Sequence, residues 1–368
     1  MSVTSKSPLG VAREALAVGS ATFSDYSHRY SPKTFTQPQK FACLVLKLFF
    51  KTDYRGVCKL LADLSDLRAV LGLKKVPHFT TLQKASRTLL RAPSTRRLLN
   101  QLVRRFFRRR RKLRRAALDS TGMQCGHASP YYTRRRAQNG EKAVFYRPFA
   151  KLEAAADCAT HFIVAAIAGR GPRVDSDRFV PLLDQALDRI LFDSALADAG
   201  YDSEANHCHA RQVRGVRSFI PATCGRPTTK PPTGHHRRQM KQRLNKDYGR
   251  YGQRWQIETV FSMIKRRLGA SVASRYYWSQ CRELMLLVVT HNLMILLCRV
   301  RFSTEHVRYR FRSENAADYV TQEPLRKRYL TPLFAFTTPT SIQQIAGKVL
   351  ARLQNSSDCT PEPRRSSG

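Results

Sequence analysis

The run KLEAAADCATHFIVAAIAGRGPRVDS, residues 151–176, holds two apolar, partly alternating stretches joined near Cys158 to Thr160. Alternation at period two with a small polar break is the pattern of a β-hairpin, and a hairpin commits this part of the chain to a sheet. Upstream, RRAALDSTGMQ predicts a strand ending at Asp119 and Ser120. Downstream come an amphipathic helix in DRFVPLLDQALDRI (177–190), a short strand in FDSALADAG that stops at Asp198, a helix near SEANHCHARQV and a strand in RSFIPA (217–222). Strand, hairpin, helix, strand, helix, strand is the order of an α/β fold, a mixed sheet flanked by helices.

The flanks read differently. Residues 1–36 are Ser/Thr-rich without a clear period, which predicts a poorly ordered start. Residues 37–112 carry apolar positions at three- and four-residue spacing and form an all-helical region. Within it, VPHFTTLQKASRTLL (76–90) places Pro77 and then Thr80 or Thr81 as a helix cap. This is compatible with helix-turn-helix DNA reading and equally with a plain helical bundle. The sheet region spans 113–300 and contains a Thr-, Pro-, Gly- and Arg-rich segment, 223–246, expected to be a mobile basic loop. LMLLVVTHNLMILL (284–297) is fourteen residues long and contains His291 and Asn292, so it reads as a buried core helix rather than a membrane span. Beyond it, 301–368 is a C-terminal extension with a partly disordered end.

Lys and Arg number 65 against 26 Asp and Glu, a net charge of +39 that calls for a polyanionic partner. In RRFFRRRRKLRR (104–115) nine of twelve positions are basic, and Arg108, Arg109, Arg110 and Arg111 run consecutively. Guanidinium groups match nucleic-acid phosphates through bidentate contacts and counterion release. Too few apolar residues face this run for it to suit a membrane. The nine cysteines contain no CxxC pair and the opening MSVTSKSPLG has no apolar h-region, which suits a reducing, cytoplasmic, nucleoid-associated setting.

Against this background acids stand out. Between Glu204 and Glu283 the acidic residues are Asp247 and Glu258, the latter within YGQRWQIETVFSMIKRRLG (251–269). At about 100° per residue, Tyr251, Arg254, Glu258 and Lys265 fall in one stripe about 60° wide, beside an apolar face of Ile257, Val260, Phe261, Ile264 and Leu268. A helix so built lays its apolar side on the sheet and aims Glu258 at the crevice. Asp119 and Asp198 stand at predicted strand ends, where open α/β sheets place their binding crevices. Three carboxylates repel one another unless a cation joins them, and Mg²⁺ takes such hard oxygen ligands while keeping waters that phosphate oxygens can replace. Two such ions would align the attacking and leaving oxygens of a phosphodiester.

Each of these residues also has an ordinary reading. Asp119 and Asp198 can be turn caps, and Glu258 can pair with Arg254 one helical turn back. Asp175, Asp177 and Asp202 are rival acids, most simply helix caps. His207, Cys208, His209, Cys224, His235 and His236 cluster without the paired spacing of structural zinc sites. Trp255 reads as core.

The spacing Y-x2-R-x3-E-x6-K from Tyr251 through Arg254 and Glu258 to Lys265, preceded by LDSTG at Asp119 and ADAGYDS at Asp198, resembles the DDE transposases of bacterial insertion sequences, in particular the branch with a Tyr-Arg-Glu-Lys signature. The acid-to-acid intervals of 79 and 60 residues also resemble that branch, over roughly residues 40–300. The resemblance implies a ribonuclease-H-like catalytic domain with Asp119, Asp198 and Glu258 as metal ligands for two Mg²⁺ (or Mn²⁺) ions. It also implies cleavage at transposon inverted-repeat ends and transfer of the freed 3′-hydroxyl into target DNA. Tyr251, Arg254 and Lys265 would contact DNA phosphates, the helical region would bind the terminal inverted repeats, and a homodimer or higher oligomer would pair the ends. The alternative is a catalytically inactive, transposon-derived DNA-binding protein acting as a repressor or host factor. The basic 104–115 run and the extension after 301 depart from the family pattern.

Overall fold

Capping chemistry begins the chain's first helix where the sequence suggested little order. The computed structural model of the protein describes residues 4–109, 112–125, 149–222, 231–244 and 248–315, with the backbone alone at 248 and 300–315. Two units are distinguished, 1–305 and 306–368; of the second, residues 306–315 are helical. Helix α1 (Pro8–Thr22) starts at Ser7, whose hydroxyl accepts the Gly10 N–H at 3.2 Å, with proline at the first position, where its missing N–H costs nothing. The expected disorder of 1–36 is therefore corrected over this stretch. Val11, Ala12, Ala15 and Val18 recur at helical spacing, and all are fully buried.

Helix α2 (Gln37–Phe49) opens on a capping box between Thr36 and Gln39, and the Gln39 amide also donates to the carbonyls of Leu71 and Gly72. Three short helices follow, α3 (Tyr54–Asp63), α4 (Ser65–Leu71) and α5 (Phe79–Leu89), then α6 (Ala92–Phe106). The cap of α5 is His78, not Thr80 or Thr81 as expected; its Nδ1 lies 2.8 Å from the Thr80 hydroxyl.

The sheet has six strands, β1 (Lys112–Cys125), β2 (Phe149–Asp157), β3 (Ile163–Gly171), β4 (Leu191–Ala197), β5 (Arg217–Phe219) and β6 (Ser271–Val272). Their order is β3-β2-β1-β4-β5, with β6 paired to the far end of β1. β1–β2 and β2–β3 are antiparallel, whereas β4 and β5 run parallel to β1. This mixed sheet flanked by helices is the α/β, ribonuclease-H-like architecture expected. Strand β1 does not end at Asp119 and Ser120, however. Its parallel pairing with β4 stops at Leu118↔Ala197, while antiparallel pairing with β2 continues through Met123↔Ala150.

Side-chain parity divides the sheet into two faces. Arg115, Ala117 and Asp119 share one face. Ser120 shares the other with its cross-strand partner Glu153. Helix α7 (Ser176–Leu187) covers the Glu153 face through Arg178, 3.7 Å from Glu153 Oε2. Helix α11 (Trp255–Leu268) covers the Asp119 face; just before its start, Gln253 Oε1 accepts from Arg115 at 2.6 Å. Its Ile257, Val260, Phe261, Ile264 and Leu268 are buried, as the stripe predicted.

Helix α12 (Tyr277–Asn315) contains the apolar run. Its Tyr277–Arg299 portion is long and apolar enough to cross a bilayer, yet 72% of its apolar window is buried within the protein. Two of the polar residues in the run, His291 and Asn292, are anchors. Asn292 Oδ1 accepts the Ile163 N–H at 2.9 Å and its Nδ2 donates to the Ile163 carbonyl at 2.8 Å, closing the edge of β3. His291 Nε2 faces the His161 carbonyl at 3.1 Å, and complete burial pushes its pKa down to about 4.

Between β5 and α11, the 223–246 loop is corrected in part. Residues 223–230 and 245–247 lie outside the described residues, but His235–Arg243 forms helix α9, following the short α8 (Glu204–Cys208). A four-residue helix α10 (Tyr248–Tyr251) and a 3₁₀ turn at Gly252–Arg254 lead into α11.

Candidate active site

Strand register brings two of the three expected acids together. Leu118 and Ala197 are the last parallel partners of β1 and β4, so Asp119 and Asp198 stand next in line on neighbouring strands, whose spacing is about 4.8 Å. Asp198 leaves the sheet into a 3₁₀ turn, and its Oδ1 accepts the Ala199 N–H at 2.7 Å. Asp119 Oδ1 accepts the Ser120 N–H at 2.7 Å.

Arg254 joins the third acid to this pair. Its Nη1 lies 3.3 Å from Asp119 Oδ2, and its Nη2 lies 2.6 Å from Glu258 Oε1, so one guanidinium spans the two carboxylates. The i−4 pairing of Glu258 with Arg254 therefore exists, together with a contact to Asp119. Glu258 does not turn wholly into the crevice, since its side chain is 56% exposed. Among the described residues, the three carboxylates do not all lie within 4.8 Å of one another. Arg254 occupies the space between them because it neutralises acids that would otherwise repel.

The electrostatics carry that repulsion. Burial, reinforced by Asp198 and Glu258 and opposed by the Ser120 N–H and Arg254, pushes Asp119 up to about 6. Tyr251 is also raised, chiefly by burial, with Asp198 and Asp119 adding to it and Arg254 opposing; its phenol therefore stands beside the same acids. A cation among these oxygens would relieve both effects. The donor set, three carboxylates and no sulfur or nitrogen, suits a hard divalent ion.

Lys265 lies two turns beyond Glu258 on α11, about 10 Å along its axis. Arg108 and Arg109 are exposed in the turn between α6 and β1; Arg110 and Arg111 lie outside the described residues. The rival acids have other employment. The Asp202 carboxylate is shielded from solvent and receives Arg237 through both oxygens, with Nη2 at 2.7 Å, rather than capping α8. Asp175 pairs with Lys151, and Asp177 sits in the first turn of α7. Trp255, expected in the core, is 55% exposed at the start of α11.

One group near the site escaped the sequence reading. Glu153, opposite Ser120 on the other face of the sheet, is 4% exposed, and burial pushes it up to about 7. Its Oε2, Arg178 Nε and the Tyr201 hydroxyl are buried without hydrogen-bond partners. The one available signal was a glutamate inside the alanine-rich strand KLEAAAD.

The family described as "Transposase DDE domain" matches residues 110–293, half of the chain, and the matched span holds Asp119, Asp198, Glu258 and the whole sheet. No curated protein matches the chain.

Proposed function

Since the chain belongs to the DDE transposases, enzymes of the polynucleotidyl-transferase type that act on DNA, we propose that Asp119, Asp198 and Glu258 are its catalytic carboxylates. On this reading the protein cuts DNA at the inverted-repeat ends of a mobile element and joins the freed 3′-hydroxyl to target DNA. The observation that carries the reading is the pairing of Asp119 with Asp198 by strand register, with Glu258 tied to Asp119 through Arg254.

The three carboxylates would hold Mg²⁺, whose positive charge makes water and the 3′-hydroxyl better nucleophiles and stabilises the departing oxygen. The remaining steps belong to the chain. Asp119 must be ionised to serve, and the Ser120 N–H and Arg254 favour that form. Arg254 and Tyr251 flank the acids on the α10–α11 approach, where phosphate oxygens would meet a guanidinium and a phenol. Each step exchanges one phosphodiester bond for another bond to phosphorus: water or a 3′-hydroxyl adds and the original 3′-oxygen leaves with a proton. Arg108 and Arg109, with Arg110 and Arg111 in the same run, would hold the duplex backbone, and pairing of two ends would require a dimer or larger assembly.

The test uses the full chain on a plasmid carrying the DNA that flanks its gene. With Mg²⁺, breaks should map to the inverted-repeat termini and leave 3′-hydroxyls, and joined products should appear in target DNA. Nicking spread over the plasmid, without preference for the termini, would overturn the transposition reading while leaving a nuclease.

Lys265 supplies a smaller expected effect. With its charge removed in Lys265→Ala, end binding should weaken similarly for all sequences. The slope of log K against log salt should become shallower by about 0.9, as for one lost phosphate contact. An unchanged slope in a titration by fluorescence anisotropy would remove Lys265 from the DNA interface.

A further inference from the structure

A second cluster of metal-binding side chains lies beyond Asp198, where the chain passes from β4 into α8. Glu204 and Cys208 are four residues apart, hence on one face of α8, and His236 opens α9 opposite them. One ligand atom from each lies within 4.8 Å of the others. We infer that Glu204, Cys208 and His236 form a zinc site that fastens α9 to α8, a short way past the end of β4 where Asp198 stands, and separate from the Asp119, Asp198 and Glu258 carboxylates.

The local geometry supports this independently of the transposase reading. His236 Nδ1 is buried and has no hydrogen-bond partner, an arrangement a metal ion would satisfy. The other ring nitrogen of His236, Nε2, lies on the exposed side, 3.4 Å from the Gln212 side-chain nitrogen. Behind it His207 is fully buried, its Nδ1 2.7 Å from the Ser218 hydroxyl and its Nε2 also without a hydrogen-bond partner.

Glu204 is placed with equal care. Its two oxygens accept the His236 and Arg237 N–H groups at 3.0 and 3.1 Å, each keeping a lone pair for a metal. Gly234 makes the approach possible, since a Cβ there would come within 2.2 Å of Glu204 Oε2. One thiolate, one imidazole and one carboxylate form a donor set that favours Zn²⁺ over Mg²⁺, leaving the fourth tetrahedral position to water. Thiolate and carboxylate together neutralise the ion, which matters on a helix as basic as HHRRQMKQR.

The sequence spacing argued against zinc because ligands were sought in pairs. The fold instead draws one from the start of α9 to two on α8. His209 is not among them, as it faces Asp184 at 2.9 Å, and Cys224 lies outside the described residues.

The test strips the full-length protein with a chelator and titrates it with Zn²⁺ against a chromophoric zinc indicator, then with Co²⁺. The expected result is about one tight equivalent, with a thiolate-to-cobalt charge-transfer band in the near ultraviolet. Cys208→Ser should abolish the band, and His236→Gln should weaken zinc binding at least about 100-fold, more than loss of an outer-shell partner does. Cys281→Ser and Glu258→Gln should leave both unchanged. Circular dichroism of each variant reads out folding, and a folded Cys208→Ser that keeps the band would overturn the site. So would wild-type protein that takes up no zinc, whatever its activity on DNA.

Discussion

Asp119→Asn, Asp198→Asn and Glu258→Gln should each slow Mg²⁺-dependent end cleavage by at least about 10³-fold, equivalent to about 4 kcal/mol of transition-state stabilisation. Each substitution keeps side-chain shape and removes one charged ligand. Gel-shift affinity for the ends should persist, because the charge that binds DNA is spread over 65 basic residues. The Asp119 variant carries a second signature that separates lost catalysis from lost folding. Its carboxyl is raised from 3.8 to about 6, so between those values the native state binds the proton more tightly than the unfolded chain does. Stability from this group is therefore present at low pH and falls as pH rises through about 6. Ionised Asp119 consequently costs roughly 3 kcal/mol at neutral pH, and the neutral amide relieves that cost. Asp119→Asn should be inactive yet melt at or above the wild-type temperature at pH 8. An inactive variant that melts well below wild type would assign Asp119 a structural role instead.

Part of the candidate site was legible in the sequence. Acids stand out in a chain otherwise poor in them, and Glu258 was conspicuous for this reason. Asp198 was equally legible, since β4 stops at Ala197, just where its apolar run ends. The hairpin of β2 and β3 and the core helix α12 announced themselves through periodicity, which burial on a sheet enforces. Strand β1 was misjudged because Ser120, Thr121 and Gly122 look like a turn, although their pairing with β2 holds them extended. Helices α1 and α9 were missed for different reasons. The first is recognisable chiefly by Ser7 and Pro8. The second has almost no apolar face and depends on Glu204, over thirty residues upstream, to accept its opening N–H groups. The same limit applies to Arg254. Helical angles placed it near Glu258, but only the meeting of α11 with β1 shows that it also reaches Asp119.

The polar group beneath the sheet yields the second large effect, with an opposite lesson about charge. Glu153 has Arg178 and Lys151 near it, with Arg173 also favouring its ionised form and Asp175 opposing it. Burial outweighs these cations because Arg178 stands 3.7 Å away, too far for a hydrogen bond, and Lys151 is committed to Asp175. The carboxyl is raised from 4.5 to about 7, so the native state holds its proton through a window in which the unfolded chain has released it. Stability from Glu153 is thus complete below about 4.5 and lost as pH climbs through about 7. The buried histidines His207 and His291, both lowered to about 4, act in the opposite direction as pH falls below 6.5. Wild-type stability alone therefore cannot isolate Glu153, but a difference can. Glu153→Gln removes only the carboxyl titration, so its stability relative to wild type should increase by about 2 to 3 kcal/mol between pH 5 and pH 8. Urea denaturation of both proteins at the two pH values measures that change, and an equal gap at both would mean that Glu153 is ionised in the native protein throughout.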